Sequence, residues 1–477
     1  MSRKSGVLMH VSSLYGEYSC GAFGKSAFKF IDVLSSAGFK VWQVLPFCYP
    51  DEVGSPYKSF GAFSGNPYFI DLELLYENGL LTLEELESAK QISPYLCEFS
   101  RLKNERIPLL KKAFTRFKDF DKLNEFFASH GEILKFCKFM ALKEKNGFKP
   151  HDEWTFFEVD DNVFKAWQFI EYTFFTQWKA VKKYANSKGV LIIGDMPIYV
   201  DYDSSDLYFN KQEFFLDKTG KPTLVAGVPP DYFSSDGQLW GNPLYDFKTM
   251  KTSGYKWWKN RISFYDEFFD GVRIDHFRAF ESFYAIKPTE KTAKNGKWKK
   301  GPGLSFIKTL KNEAKNLLII AEDLGVITDK VRALVNKSGL PGMRVLQFGF
   351  LGDDNSPHLI HNFEKNTVSY TGTHDNNTLL GWMWEQSDDN KKRITEYFGL
   401  DFSRWNDCYD DIMRQMLASV SNTVIFPVQD LLKYGSDTRL NTPGVAENNW
   451  AFRITENALN DIDVNKFLYY NTIYARR

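Results

Sequence analysis

Four acidic residues stand at the ends of short apolar runs, and this shared position is the first indication of chemistry. Asp195, Asp275, Glu322 and Asp375 occur in "LIIGDMPI", "DGVRIDHF", "LLIIAEDLG" and "TVSYTGTHD". Such runs of β-branched and apolar residues are typical of buried strands. One acid at the end of a strand is most often a helix cap or a loop anchor. Four acids at matching positions favour a shared site.

Arg273 and Asp275 lie two residues apart in the strand-like run "GVRIDHF". Because side chains alternate along a strand, both point to one face, while Val272 and Ile274 pack on the other. One interpretation is a buried ion pair with a purely structural role. The other is that the arginine keeps Asp275 ionised, which suits a carboxylate that attacks a carbon atom or stabilises a cation.

Glu322 has different surroundings, because the apolar run "LLIIA" precedes it and would remove water from its carboxyl group. Loss of hydration raises the pKa of a carboxyl group and keeps it protonated, as a general acid requires. In glycoside chemistry, two carboxyl groups in contrasting surroundings take the separate roles of nucleophile and acid/base. The structural alternatives are a capping loop around Glu322 and an Asn-rich turn at "GTHDNNT", which holds His374 and Asp375.

Eight apolar runs separated by helical segments would position these acids. They cover residues 6–11, 41–47, 191–198, 270–277, 317–325, 343–350, 367–375 and 423–430. Near-continuous apolar strands with intervening helices indicate a parallel sheet covered by helices. Eight such units predict a (β/α)8 TIM barrel, an α/β fold whose catalytic groups lie at the carboxyl ends of the strands. A doubly wound open sheet is the alternative, because periodicity does not show closure.

The whole chain, residues 1–477, is predicted to be a single catalytic barrel with two large insertions. Residues 48–190, after the second strand, are predicted to form a mainly helical insertion, and residues 199–269, after the third strand, a loop-rich one. The helical patterns of the first insertion cover 82–90, 105–146 and 162–187. The segment after residue 430 is too short for a C-terminal β-domain.

Composition excludes several classes of partner. Lys plus Arg and Asp plus Glu each total 60, so no overall charge attracts nucleic acid. No apolar run is long enough for a membrane span, and the amino terminus does not resemble a signal peptide. The five cysteines contain no C-x-x-C pair, which indicates neither a zinc site nor a disulfide framework. A cytoplasmic protein is the simplest interpretation.

Aromatic residues make up 17% of the chain. A large core accounts for most of the phenylalanines, but not for the Tyr and Trp residues in the polar, Gly/Pro-rich loops "SPYKSFGAFSGNPYF" and "PPDYFSSDGQLWGNPLY". Flat rings beside hydrogen-bonding groups suit the faces of sugars. These loops therefore favour a carbohydrate ligand.

The motifs "FDGVRIDHFR", "IIAEDLG" and "YTGTHDNNT" resemble the catalytic blocks of the 4-α-glucanotransferases, the amylomaltase or disproportionating-enzyme family within the α-amylase superfamily of retaining barrel enzymes. The resemblance extends in order through "WQVLPF", "SPYKSFGAFSGNPYFIDL", "GDMPIYV", "GVPPDYFSSDGQLWGNPLY", "PVQDLL" and "RLNTPGVAENNW". The segments "LMHVSSLYGEYSCGAFG" and "CYPDEVGSPY" depart from the family pattern. Both lie at the predicted edge of the cleft, so they bear on substrate length rather than on the chemistry.

The resemblance implies a role for each matching residue. Asp275 would be the nucleophile, Glu322 the general acid and base, and Asp375 the stabiliser of the transition state. The implied substrate-binding residues are Arg273, His374, Asp195, Tyr57, Ser55, Tyr232, Phe233, Trp240, Asn242 and Asn441. Residues 199–269 would line the acceptor cleft. The implied donors and acceptors are α-1,4-glucans and malto-oligosaccharides, without a metal or an organic cofactor, and the protein would be a monomer or a dimer.

Three alternatives share parts of this pattern. A hydrolase of α-glucans would use the same carboxylates, with water in place of the acceptor sugar. A metal-dependent barrel enzyme would use the acids at the strand ends as Mg²⁺ ligands. A non-catalytic glucan-binding protein would use the aromatic residues alone, and it is disfavoured because it gives Asp275 and Glu322 no role.

Overall fold

The computed structural model describes residues 3–50, 54–230, 235–445 and 447–477. Within these ranges the chain forms twelve strands: β1 (Lys4–Leu8), β2 (Val41–Gln43), β3 (Leu191–Met196), β4 (Val225–Val228), β5 (Gln238–Pro243), β6 (Gly271–Ile274), β7 (Ser282–Ile286), β8 (Lys297–Lys300), β9 (Leu318–Ala321), β10 (Gly342–Val345), β11 (Thr367–Tyr370) and β12 (Thr423–Pro427).

The α-helices of the described ranges are α1 (Lys25–Ser36), α2 (Leu72–Glu77), α3 (Leu83–Ser88), α4 (Phe99–Arg116), α5 (Phe120–Ser129), α6 (Gly131–Lys145), α7 (Asp161–Ser187), α8 (Ser205–Phe209), α9 (Phe247–Thr252), α10 (Lys256–Phe268), α11 (Gly303–Glu313), α12 (Asp329–Ser338), α13 (Leu346–Gly349), α14 (Leu379–Trp384), α15 (Asp388–Tyr397), α16 (Cys408–Ala418), α17 (Val428–Leu431), α18 (Glu456–Asn460) and α19 (Val464–Ile473). Short 3-10 turns cover Val11–Ser13, Pro67–Phe69, His151–Glu153, Lys211–Glu213, Phe277–Phe280, Ile360–Asn362, Phe402–Asp407 and Ser436–Thr438.

Eight parallel strands close into a barrel in the order β1-β2-β3-β6-β9-β10-β11-β12, with β12 paired again to β1. Each of the eight predicted apolar runs overlaps one barrel strand, so the (β/α)8 prediction is confirmed and the open-sheet alternative is wrong. All residues of β2, β6, β11 and β12 are buried. This two-sided burial by the barrel interior and the outer helices explains why the runs are mostly apolar.

Two of the outer helices show how local sequence defines the strand–helix units. Helix α1 buries Ala27, Phe30, Ile31 and Leu34, a helical spacing that turns one face to the barrel. Helix α12 is capped at its start by Thr328, whose hydroxyl accepts the N–H of Val331 at 3.4 Å, and at its end by Gly339 with φ +68°. Both helices lie between predicted strands, where helical segments are expected.

Between β2 and β3 the chain forms the helices α2 to α7. The predicted helical pattern at 105–146 is divided among α4, α5 and α6, which are separated by short breaks at 117–119 and at His130. The 27-residue helix α7 packs against α1, α4, α5 and α6. Its apolar face therefore joins these helices to the barrel.

A second sheet, which the sequence analysis does not predict, has the antiparallel order β5-β4-β7-β8. Strands β4 and β5 come from the predicted loop-rich segment, and β7 and β8 follow the fourth barrel strand. Residues 238–241 of β5 and all four residues of β8 are exposed. Strands β5 and β8 therefore lack the apolar runs by which the barrel strands were recognised.

Helices α18 and α19 follow β12, and no strand follows Pro427 within the described residues. Near the end of the chain, the guanidinium of the fully buried Arg476 donates to the carbonyls of Leu417, Lys4, Ser421 and Ser419 at 2.6 to 3.1 Å. These contacts lie at the amino-terminal end of the barrel strands. No helix among the described residues combines the length and the apolar composition that crossing a membrane requires.

Candidate active site

Strands β3 and β6 place Asp195 and Arg273 directly opposite each other. Arg273 Nη1 lies 2.9 and 2.8 Å from the two carboxylate oxygens of Asp195. Tyr57 donates its hydroxyl to Asp195 Oδ2 at 2.8 Å. Asp195 and Arg273 are 1% and 4% exposed, so this pair forms the buried floor of the site.

Arg273 contacts a second carboxylate, because its Nη2 lies 2.8 Å from Asp275 Oδ1. The side chain of Asp275 is 30% exposed, whereas that of Asp195 is fully buried. Burial opposes the charge of Arg273, but Asp195 and Asp275 raise its pKa well above its ordinary value. The predicted Arg273–Asp275 contact is therefore present, and Asp195 supplies the buried counter-charge that the sequence did not reveal.

Glu322 follows β9 and is 8% exposed. Its Oε2 accepts the backbone N–H of His276 at 2.6 Å, and its Oε1 accepts that of Leu324 at 2.8 Å. Burial raises the pKa of Glu322 to about 7, with Arg273 acting in the opposite direction and Asp275 adding to the increase. The direction agrees with the expectation from the apolar run before it, and a carboxyl group with this pKa can exchange a proton near neutrality.

His276 orients Glu322 through its backbone rather than its side chain. Its φ of +48° lies in the left-handed region, which is uncommon for a residue other than glycine. This conformation accompanies the N–H contact with Glu322, and the imidazole packs edge-on against Trp240 at 4.8 Å. Burial lowers the pKa of His276 to about 4. Sequence analysis gave His276 no role, since a positive φ leaves no sequence signal at a histidine.

Asp375 lies in the loop that follows β11, with its side chain 46% exposed. Its Oδ1 accepts the side-chain amide of Asn441 at 2.6 Å, and its carbonyl accepts Arg439 Nη2 at 2.5 Å. His374 Nε2 lies 3.4 Å from the same Oδ1. The segment "RLNTPG" thus holds the Asp375 loop from outside the barrel, and Arg439 is a contact that sequence analysis missed.

Three rings form one wall of the site. Tyr57 stacks on His374 with a centroid distance of 5.2 Å and an interplanar angle of 18°. Trp450 packs at a tilt against both rings, with centroid distances of 5.8 and 5.9 Å. Sequence analysis named Tyr57 and His374 but not Trp450, although the motif "AENNW" contains it. In the sequence Trp450 is only one of twelve tryptophans, so its presence in the motif did not single it out.

The remaining predicted residues lie around this centre. Trp240, on β5, is 38% exposed and reaches the centre through His276. Asn242 donates to Val200 O at 3.1 Å, so it joins β5 to the segment that follows β3. Ser55 Oγ accepts the N–H of Tyr57 at 3.4 Å, so it shapes the turn that presents the ring. The predicted residues Tyr232 and Phe233 lie outside the described residues.

The arrangement combines a part-exposed carboxylate beside a fixed cation with a buried carboxyl group that titrates near neutrality. The first can attack an electrophilic carbon, and the second can donate a proton to a leaving oxygen and later remove one from a nucleophile. Within the described part of the chain, no three His, Cys, Asp or Glu side chains are arranged to hold a metal ion. The geometry suits acid/base and nucleophilic chemistry at a glycosidic bond.

Comparison with known proteins agrees with this chemistry. A family model described as 4-alpha-glucanotransferase matches residues 9–459. The 4-alpha-glucanotransferase of Clostridium butyricum is 40% identical over 491 aligned residues, which cover 98% of this chain and 100% of that protein. The one from Streptococcus pneumoniae is 41% identical over 501 aligned residues, with 99% and 97% covered.

The same relationship is evident in three dimensions. The amylomaltase from Streptococcus agalactiae, solved in complex with acarbose, matches with a TM-score of 0.94 and 35% identity, and 99% of each chain is covered. The amylomaltase from Corynebacterium glutamicum shares the fold, with a TM-score of 0.82 and 16% identity. The family match extends over almost the whole chain and includes every strand of the barrel except β1. The chain therefore belongs to the 4-alpha-glucanotransferase family.

Proposed function

We propose that the chain transfers α-1,4-glucan segments between malto-oligosaccharides by a retaining double displacement. The observation that carries the proposal is the contrast between Asp275, which contacts Arg273, and the buried Glu322, whose pKa is about 7. Both carboxyl groups follow neighbouring barrel strands, because β6 pairs with β9. For a retaining reaction we expect their oxygens to lie about 5–5.5 Å apart across the scissile bond.

In the first displacement, an oxygen of Asp275 attacks the anomeric carbon of the donor glucan. Glu322 transfers its proton to the glycosidic oxygen, so the leaving chain departs with a free 4-hydroxyl group. The glucan segment remains on Asp275 as a covalent ester. Arg273, fixed by Asp195, holds the attacking carboxylate in place.

In the second displacement, the ionised Glu322 removes the proton from the 4-hydroxyl of an acceptor sugar. The acceptor oxygen then attacks the anomeric carbon and releases Asp275. Two inversions restore the α configuration. Glu322 is protonated again, which closes the cycle without a metal or an organic cofactor.

Asp375 and His374 are proposed to bind the ring hydroxyls of the scissile glucose and to stabilise the cation-like transition state. Asn441 and Arg439 fix the position of Asp375. Tyr57 is proposed to provide an aromatic face for the donor sugar. Trp240, Asn242 and the predicted residues Tyr232 and Phe233 belong to the acceptor side.

A hydrolase would use the same carboxylates, and the products from maltotriose separate the two functions. Transfer predicts glucose together with longer oligomers and an unchanged total of reducing ends. A net increase in reducing ends would show hydrolysis and contradict the proposal. Full activity after treatment with a chelator is expected as well, and its loss would favour the metal-dependent alternative.

We further propose that residues 1–477 act as one catalytic barrel, with 48–190 and 199–269 as insertions that shape the cleft. The helices α2 to α7 and the second sheet support this division.

We also propose a cytoplasmic location. The five buried free thiols support it, because such thiols persist in a reducing compartment. Fractionation of cells that express the protein tests the location.

A further inference from the structure

Asp430 contacts both ends of the loop that carries His374 and Asp375. We call residues 371–379 the catalytic loop. Asp430 follows β12 in the motif "PVQDLL" and is 1% exposed. Its Oδ2 accepts the hydroxyl of Thr371 at 2.6 Å, and its Oδ1 accepts the backbone N–H of Leu379 at 2.8 Å. One carboxylate thus joins the first and last residues of the loop.

The surroundings of Asp430 keep this carboxylate in one place. Thr371 and Leu379 are both fully buried, so neither partner is exchanged for water. The hydroxyl of Tyr409 donates to the backbone carbonyl of Asp430 at 2.6 Å, which fixes the main chain behind the side chain. Burial raises the pKa of Asp430 to about 6, and the contacts with Thr371 and Leu379 oppose that shift.

Polar contacts within the catalytic loop and with its neighbours hold the shape of the loop between its two ends. Asn376 Oδ1 accepts the N–H and the hydroxyl of Thr373, both at 2.9 Å. The carbonyl of Asn377 accepts the side-chain amide of Gln347 at 2.8 Å. Thr378 caps helix α14 through the N–H of Gly381 at 3.0 Å. Asp375 therefore takes its position from the points at which the loop is attached, together with Asn441 and Arg439.

We propose that Asp430 is a positioning residue that sets the place of Asp375 and His374 relative to Asp275 and Glu322. The inference rests on the proposed function, in which Asp375 stabilises the transition state. A purely structural role would give Asp430 an effect on stability alone. A positioning role gives it an effect on kcat as well, because misplacement by about 1 Å costs about 10²-fold in rate.

The first test compares Thr371, which follows β11, with Thr367, the first residue of that strand. Thr371→Val removes the hydroxyl that Asp430 accepts. Thr367→Val is the matched control, because Thr367 is 1% exposed, lies at the opposite end of β11 and bonds Ser421 at 2.8 Å. In disproportionation of maltotriose, we expect Thr371→Val to lower kcat by about 10- to 100-fold with KM within about threefold. We expect Thr367→Val to keep kcat within about twofold at a similar loss of thermal midpoint.

The second test changes Asp430 itself. Asp430→Leu removes both acceptors and is expected to lower kcat at least as much as Thr371→Val. Asp430→Asn is expected to restore most of it, since its carbonyl oxygen accepts the N–H of Leu379 and its amide donates to the Thr371 hydroxyl. Inhibition by acarbose should weaken in Thr371→Val and Asp430→Leu in proportion to kcat/KM, as expected for a lost transition-state contact.

The outcomes separate this inference from the function on which it rests. If Thr371→Val and folded Asp430→Leu retain the kcat of Thr367→Val, while Asp375→Asn is inactive, the positioning role is wrong and the proposed function stands. If Asp375→Asn is itself fully active, the proposed role of Asp375 is wrong. Should Asp430→Leu fail to fold, the comparison of Thr371→Val with Thr367→Val decides.

Discussion

At the scale of single residues, Arg273 divides its guanidinium between a fully buried carboxylate and a part-exposed one. Asp195 compensates the buried charge, and Asp275 remains accessible at the mouth of the barrel. An ion pair between Arg273 and Asp275 is therefore compatible with a catalytic role for Asp275. The buried pair Asp195–Arg273 is a fixed support, and Asp275 is the group left to react.

We predict that Asp275→Asn and Glu322→Gln each lower kcat with maltotriose by at least about 10³-fold, because each removes a group that acts on reacting atoms. Both variants should keep the far-UV circular dichroism spectrum and the thermal midpoint of the unmodified protein. Initial rates of glucose release measure the effect. Near-normal rates in either folded variant would exclude the assigned role.

The raised pKa of Glu322 predicts the alkaline limb of the pH profile. The first displacement requires the protonated form, which dominates below the pKa of about 7 and is lost as the pH rises through it. We expect kcat/KM for maltotriose to fall about tenfold per pH unit well above neutrality. A maltosyl fluoride donor is the control, because fluoride leaves without a proton and its rate should lack this limb. The same limb with both donors would mean that another group causes it.

The location of the acids in the proposed active site could be predicted from the sequence because it depends on local patterns, namely an apolar run followed by an acid. Their supports could not be predicted in this way. Glu322 depends on the left-handed backbone of His276, and Asp375 depends on Arg439 and Asn441, more than sixty residues away. Such contacts follow from the folded chain, so only the resemblance indicated Asn441.

At the scale of elements, the barrel strands were predicted because burial on both faces makes them mostly apolar. The second sheet was not predicted, since β5 and β8 are largely exposed and the apolar strands β4 and β7 are short. In the proposed function this sheet nevertheless shapes the acceptor side of the cleft, because Trp240 lies on β5. Strand β5 depends in turn on a close approach to β4.

That close approach predicts the effect of Gly227→Ala. A Cβ at Gly227 in β4 would lie 2.3 Å from the carbonyl oxygen of Gln238 in β5, so the backbone of β5 must move. We expect the KM for a glucose acceptor to rise by about tenfold, with little change in the hydrolysis of maltosyl fluoride. Gly131→Ala, where a Cβ meets no atom within 4 Å, is the control. An unchanged KM for the acceptor would show that the position of β5 does not affect acceptor binding.

At the scale of the whole molecule, the two ends of the barrel hold different groups of polar residues. The carboxylates occupy the end at which the strands finish, and Arg476 joins the segments at the opposite end. The stability of the fold and the chemistry of the site therefore depend on separate sets of contacts. A change at Arg476 should alter stability without altering catalysis.

We predict that Arg476→Met lowers the free energy of unfolding by about 3 kcal/mol, because it leaves several buried carbonyl groups without a donor, at about 1–3 kcal/mol each. Denaturant unfolding measures the change, and kcat of the folded protein at 25 °C should be unaffected. Arg477→Met, at an exposed position, is the control. Equal stability of the two variants would show that these contacts contribute little.

The covalent intermediate tests the central claim most directly. In Glu322→Gln, a maltosyl fluoride donor can still glycosylate Asp275, because fluoride needs no acid, whereas the second displacement lacks its base. The account predicts that the intact mass of the protein rises by one maltosyl group and that peptide mapping places this group on Asp275. A protein that turns over the fluoride without any adduct, or that carries the adduct on another carboxylate, would contradict the assignment of Asp275 as the nucleophile.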